Sequence, residues 1–480
     1  MVVLAFALAG SSCSGDGGGG ASSGGGAPPS YAFSSKPEGC GYTVNIDASR
    51  GSDFRADEPT LGADAKPKRV RLGLGGNTDV GASDYADPAK TVAIVWDSDV
   101  GSFASKVKIG KAPAALTDVH AGFSYLLPGD VPMRIHRADV CGLAPKTTYY
   151  YQVGGGPDGA GVWSEVLSFT TLASPAADAE VTIGVSGDSR DSVDVIWPLL
   201  QGRMAKMAPD FQLFTGDSIL AALPTSENDY VRWFDGAASA KSLGAMPIFA
   251  IGGNHENVQA QWLANQALPG QGVTESLYAS FDAGPVHVVV FDDQLVAEAA
   301  AVPDLTAAVG KTIADWVDAD LAAADDRRDQ VPWIVVANHR GILSTSHHAD
   351  DADVLDLRKQ MMPIYDAHHV DLVLNGHDHN YERSTPATGP ADSPSAKTDP
   401  KDGTVYIVCA GAGADRYAKG TTPAPYRATN AEFGEGTEYV GLYGTLQITG
   451  KTLSWKAYGL KASGMTTADD GVVDEVSWSK

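Results

Sequence analysis

Basic residues are scarce in this chain: 35 Lys and Arg stand against 59 Asp and Glu over 480 residues, a formal net charge of −24. That balance excludes a nucleic-acid or anionic-membrane surface, both of which need a basic patch. An anionic small molecule would be repelled at long range, so local positive charge such as bound metal ions would have to hold it. Cysteine is also scarce, with four in the chain. Cys409 sits in the apolar run VYIVCAGAG, has no metal-binding spacing, and reads as an inert buried thiol. Cys40 and Cys141 lie in the N-terminal third, where an exported chain can join them in a disulfide. There is no internal repeat.

The apolar run at residues 2–10 (VVLAFALAG) is too short to span a bilayer and fits the h-region of an export signal, although no Lys or Arg precedes it. The Gly/Ser tract that follows, to residue 30, cannot build a core and reads as a flexible tether. Cys13 follows small residues at the end of the run and resembles a bacterial lipoprotein processing site, with Gly10 where a leucine is usual. The expectation is an exported chain, periplasmic, cell-surface or extracellular, with two readings of Cys13 left open: a lipid anchor, or simple cleavage that leaves it free or removes it.

Short strand patterns separated by Gly, Pro and Asp turns fill residues 31–172, densest from about 68, and predict an all-β sandwich. The segment LAPKTTYYY resembles the corner and strand of a fibronectin type III module, with Tyr149 or a neighbour as corner tyrosine. From residue 177 to 480 strands alternate with helical stretches at 194–208, 260–268, 312–326 and 357–369, the pattern of an α/β layered domain.

Five runs in this second part end in residues that seek metals: VTIGVSGD at Asp188, FQLFTGD at Asp217, MPIFAIGGNHE at Asn254 and His255, VPWIVVANH at His339, and VDLVLNGHDH at His377 and His379. Buried strands that stop at Gly plus a polar residue put those side chains at the carboxyl edge of a sheet, where open α/β folds build their sites. Gly-Asp alone is ordinary turn chemistry. Five such ends together form an oxygen and nitrogen ligand set for Fe, Zn or Mn. Asp217 is the bridge, because a carboxylate can share its two oxygens between ions. Asp188 and His379 complete one pocket, and Asn254, His339 and His377 the other. In extended chain the i, i+2 pair His377 and His379 points to one face, so each reaches a different ion.

In this order, GDSR, GDS, GNHE, ANH and GHDHNYER resemble the calcineurin-like metallophosphoesterase signature. The last block, with the fibronectin-like part before it, is similar to purple acid phosphatases. The resemblance covers residues from about 70 to the C-terminus and implies a four-layer α/β/β/α sandwich, two divalent or trivalent ions and the ligand set above. One position departs. The family carries an iron-binding tyrosinate three residues after the bridging aspartate, and Leu220 stands there. Its colour comes from that tyrosinate on ferric iron, so this protein should not be purple. Tyr230 is a poor substitute on spacing. Arg190 stands where other metallophosphoesterases carry a histidine. It can fork onto phosphate oxygens, or else pair with Asp191.

The expected reaction is in-line hydrolysis of a small phosphomonoester by hydroxide made at the two ions. His255 is the proton donor to the leaving group. Arg190, Asn254 and one of His347 and His348, in the loop RGILSTSHHADD, contact substrate. Glu256 and Glu382 orient their neighbours. Two other readings fit parts of the pattern: a phosphodiesterase on nucleotides or lipid headgroups, and a surface binding protein that has lost catalysis.

Overall fold

Apolar residues on both faces of a strand need cover on both faces, and from residue 180 onward the strands find it. Val181, Ile183 and Val185 on strand Glu180–Ser186 share one core with Val286, Val288, Trp333, Val335 and Ala337 of a second sheet. The alternate residues Ile334 and Val336 join Ile313, Val317, Leu321, Leu357 and Met361 of helices Leu305–Asp325 and Ala352–Ala367. Two sheets face each other and helices cover their outer sides, the four-layer α/β/β/α arrangement expected. This computed structural model describes residues 32–46, 48–76, 85–127, 133–220, 227–256, 260–266, 277–297 and 305–480. The export run, Cys13 and the Gly/Ser tract lie outside them.

One sheet runs Ile248–Ala250, Phe211–Phe214, Glu180–Ser186, Gly441–Thr449, Thr452–Leu460, Gly471–Ser479, with its first three strands parallel. The other runs Tyr278–Ala283, Val286–Phe291, Trp333–Ala337, Leu372–Asn375, Val405–Cys409, Tyr381–Ser384, Arg427–Ala431, parallel from its second strand to its fifth. The carboxyl ends of both parallel sets therefore open on one edge. Cys409 is a free thiol in the core between the sheets.

Among the described residues the expected helices are Ile196–Met207, Ala260–Asn265, Leu305–Asp325 and Ala352–Ala367, and two further ones, Glu227–Ser239 and the short Gln294–Ala297, were not expected. The third begins about two turns before residue 312. Trp233 of Glu227–Ser239 stacks on Trp197 at 4.7 Å.

Residues before 172 form two facing sheets around Leu72, Ile94, Trp96, Val107, Ile109, Tyr151 and Phe169. Strand Ser52–Ala56 joins one of them, so the sandwich begins earlier than residue 68. Tyr149 accepts a hydrogen bond at its hydroxyl from the Ala144 N–H at 2.9 Å, the corner foreseen for it. Cys40 and Cys141 form a disulfide. The sandwich docks against the neighbourhood of helix Ala260–Asn265. Tyr125 donates to the Ala264 carbonyl and Arg71 to that of Asn265, both at 2.7 Å, while Tyr151 donates to Gly244, also at 2.7 Å.

His287, expected to be structural, is fully buried with Nδ1 2.7 Å from Asp282 and Nε2 2.8 Å from Asp320. Burial would lower its pKa, but the two carboxylates outweigh it and push the imidazole up to about 9. Because the folded value lies above the ordinary one, the stabilisation is complete below about pH 6.5 and is lost as pH rises through 9. Its size is on the order of 3 kcal/mol. Urea midpoints at pH 6 and pH 10 should therefore fall much further for the wild type than for His287→Gln. Equal falls would show that the cluster does not carry charge.

Candidate metal centre

Three of the strand-end residues, Asp188, Asp217 and His377, have φ of 61°, 58° and 70°. Non-glycine residues in the left-handed region cost about 1–3 kcal/mol each and persist where the surroundings over-determine them. Here the surroundings are the other strand ends. Asp188 N–H donates to the Gly216 carbonyl at 2.9 Å, Ser189 N–H to Asp217 at 3.0 Å, and Gly376 N–H to His339 at 2.8 Å. Glycine precedes the ligands because the loops nearly touch. A Cβ on Gly253 would lie 2.3 Å from an Asp217 carboxylate oxygen, and one on Gly376 2.4 Å from an Asp188 oxygen.

The six expected ligands converge. Asp188, Asp217 and His379, all buried, offer atoms within 4.8 Å of one another. His379 donates Nδ1–H to the Asp415 carbonyl, so its bare Nε2 faces Asp188 at 3.5 Å. On the other side His339 donates Nδ1–H to the Thr215 carbonyl at 2.7 Å. Its Nε2 then faces Asn254 Oδ1 at 2.9 Å and Asp217 Oδ1 at 3.4 Å. His377 Nδ1 lies 3.0 Å from the same Asn254 oxygen and 3.2 Å from His339 Nε2. Acceptors converging in a buried site repel unless a cation or a shared proton sits among them, and Asp217, Asp188 and Asp293 accordingly raise the His339 pKa against burial. Asp188, Asp217 and His379 thus fit a metal ion, and Asn254, His339 and His377 converge beside them.

Glu256 holds this arrangement from behind. Its buried carboxylate accepts from Asp217 N–H at 2.9 Å, Ser218 N–H at 2.6 Å and Gly253 N–H at 2.7 Å, tying two ligand loops together. Glu382 accepts from Thr345 N–H and its hydroxyl. Both are orienting residues, as expected.

His255 lies beside the first pocket. Its backbone N–H donates to Asp217 Oδ1 at 3.0 Å, its Nδ1 to the Leu220 carbonyl, and Arg190 Nη1 donates to its Nε2. Burial lowers its pKa and Arg190 lowers it further, against the raising effect of Asp217. Arg190 is 13% exposed, with Nε 3.6 Å from Asp191 and 3.9 Å from Asp217 Oδ2. Of the two contacts expected of Arg190, the structure shows the local acid, and the guanidinium also lies beside Asp217 of the ligand set. Leu220 is 51% exposed and brings only its carbonyl to the site. Tyr230 is buried against Trp262, and burial together with the nearby charges of Glu256 and Asp217 raises the pKa of its hydroxyl.

His347 and His348 both reach the rim. His348 stacks on His377 at 4.1 Å, with Nδ1 2.7 Å from Asp351, and His347 packs 4.5 Å from Tyr417. Tyr417 was not anticipated. Its ring stacks on His379 at 4.1 Å and 9°, and its hydroxyl accepts from Arg190 Nη2 at 3.1 Å. It lies on the loop after strand Val405–Cys409, which with Asp415 forms a further wall. The signal was there: VYIVCAGAG is another apolar run ending in glycine.

Residues 80–171 match the model of the purple acid phosphatase N-terminal domain, and residues 181–381 that of the calcineurin-like phosphoesterases. An uncharacterized protein of Mycobacterium tuberculosis is 29% identical over 319 residues, 59% of this chain and 59% of that protein. Purple acid phosphatase 15 of Arabidopsis thaliana is 27% identical over 363 residues, 66% of this chain and 64% of that one. Human acid phosphatase type 7 is 25% identical over 388 residues, 74% and 80% of the two chains. The chain thus spans 59% of the length of the mycobacterial relative. Among solved structures, purple acid phosphatase PPD1 of yellow lupin (Lupinus luteus) superposes with a TM-score of 0.66 at 16% identity, over 86% of this chain and 74% of that one. The fold is shared.

Proposed function

The chain is a calcineurin-like metallophosphoesterase of the purple-acid-phosphatase type, lacking the iron-ligand tyrosine, and from that premise we propose that it hydrolyses small phosphomonoesters at a two-ion centre. One observation carries the reading: two buried sets of acceptor atoms share Asp217, with Arg190 and His255 beside them. When bound, the ions supply an activated water and neutralise charge on the phosphate. Asp188, Asp217 and His379 would hold one, and Asp217, Asn254, His339 and His377 the other.

The remaining chemistry falls to side chains. Arg190 turns its guanidinium from His255 to a phosphate oxygen when substrate enters, a charge-assisted bond that replaces a weaker one. That frees His255 Nε2 to carry a proton toward the leaving oxygen, while the Leu220 carbonyl keeps the ring aligned through Nδ1–H. His347, His348 and Tyr417 line the rim on which the leaving group rests. A net charge of −24 leaves these local cations as the attraction for an anionic substrate.

Export and lipid anchorage at Cys13 belong to the same proposal. The Cys40–Cys141 disulfide supports an oxidising compartment. Turnover of p-nitrophenyl phosphate should exceed that of its bis ester by at least about tenfold, a modest difference in transition-state binding. Faster cleavage of the bis ester would make the protein a phosphodiesterase instead.

A further inference from the structure

The first pocket has an unusual neighbour. Arg190 Nε is buried, makes no hydrogen bond, and lies 3.9 Å from Asp217 Oδ2, the oxygen not turned to His339. The guanidinium is held there from both ends, by His255 at Nη1 and by the Tyr417 hydroxyl at Nη2. Tyr417 is itself fixed by stacking on His379, a member of the same pocket. Asp191 Oδ2, 3.6 Å from Nε, is held by Asp415 N–H at 2.8 Å on the far wall, and it offsets part of the guanidinium charge from outside the pocket. The donor set is two carboxylates and a neutral imidazole, and one carboxylate is shared with the second pocket. Among the described residues no anionic side chain replaces what a tyrosinate at position 220 would bring, since Leu220 offers only its carbonyl.

We propose that Arg190 is a tethered cation that restricts the Asp188–Asp217–His379 pocket to divalent ions and excludes ferric iron. The inference rests on the two-ion reading above. A positive charge on the order of 5 Å from a bound cation would disfavour each added unit of ionic charge by up to roughly 10²-fold at an effective dielectric near 20, less whatever Asp191 offsets. Moving from a divalent to a trivalent ion adds one such unit. Arginine suits the role because it does not lose its proton, so the bias persists at every working pH.

The test is competition dialysis of the full-length, metal-stripped protein against zinc and ferric citrate together, read by elemental analysis. The wild type should retain zinc, or manganese in a parallel experiment, and essentially no iron. It should also show no visible charge-transfer band. Arg190→Gln should shift the iron-to-zinc ratio toward iron by up to about 10²-fold, whereas Arg190→Lys should not. Wild-type protein that takes up ferric iron as readily as zinc overturns the proposal, with or without a foldable Gln variant. So does an unchanged ratio in Arg190→Gln, or a shift of equal size in Arg190→Lys. Because the readout is metal content, protein that binds zinc selectively but hydrolyses nothing would sink the enzymatic reading and leave this one standing.

Discussion

Asp217→Asn should strip the protein of both ions and lower phosphomonoester turnover by at least about 10³-fold, the upper end of the loss when one charge-stabilising group is removed. The substitution is nearly isosteric, so shape is preserved and charge alone changes. Asp217 Oδ1 lies 3.4 Å from His339 Nε2, and Oδ2 faces the side of Arg190 and His255. The carboxylate is held ionised there. Burial would raise its pKa, but His339, His255 and Arg190 together keep it below the usual range. An amide has one oxygen to offer, and its NH₂ would point at either His339 Nε2 or the first pocket. One pocket must lose its shared ligand, and the other must lose the negative charge that offsets a second cation nearby. Elemental analysis and turnover of p-nitrophenyl phosphate, with circular dichroism to verify the fold, check this. A variant holding two ions and full activity would show that Asp217 is not the bridge.

Much of this was legible because a strand end is a local event. Each of the five runs states its own burial and its own stop, and Gly before Asp, Asn or His is written in consecutive residues. What brings the ends together is the parallel order of the sheets, and that too follows from strands apolar on both faces. The glycines could be named in sequence but not explained. Only the structure shows that a Cβ at Gly253 would strike the carboxylate of Asp217 on another strand. Tyr417 was missed for a related reason: its link to Arg190 spans 227 positions, and a tyrosine in a loop carries no pattern. Helix Glu227–Ser239 was a different kind of miss. Tyr230, Trp233, Phe234 and Ala237 are buried at helical spacing, so the signal existed and its polar flanks obscured it. Arg190 had two roles open in sequence, and the structure shows the pairing with Asp191 while setting the other edges of the guanidinium beside Asp217 and Tyr417.

His255→Gln should retain both ions and lose activity in proportion to how badly the leaving group needs a proton. Glutamine is of similar size and can still donate to the Leu220 carbonyl, but it cannot carry a proton toward the substrate. His255 contributes no atom to the two acceptor sets: its backbone N–H, which the variant keeps, is what bonds to Asp217. Metal content should therefore be unchanged. General acid catalysis is worth about 10²–10⁴-fold when the leaving alkoxide is a strong base. An alkyl phosphate should show a loss of that size. p-Nitrophenolate leaves without help, so p-nitrophenyl phosphate should be hydrolysed by the variant within roughly tenfold of the wild type, uncatalysed departure having little barrier for the acid to lower. Plotting turnover against leaving-group basicity should give a steeper slope for His255→Gln than for the wild type. Parallel lines with a uniform loss would mean that His255 acts by holding phosphate oxygens rather than by moving a proton. In that case the short contact from Arg190 to its Nε2 would be the resting form of a two-residue oxyanion clamp.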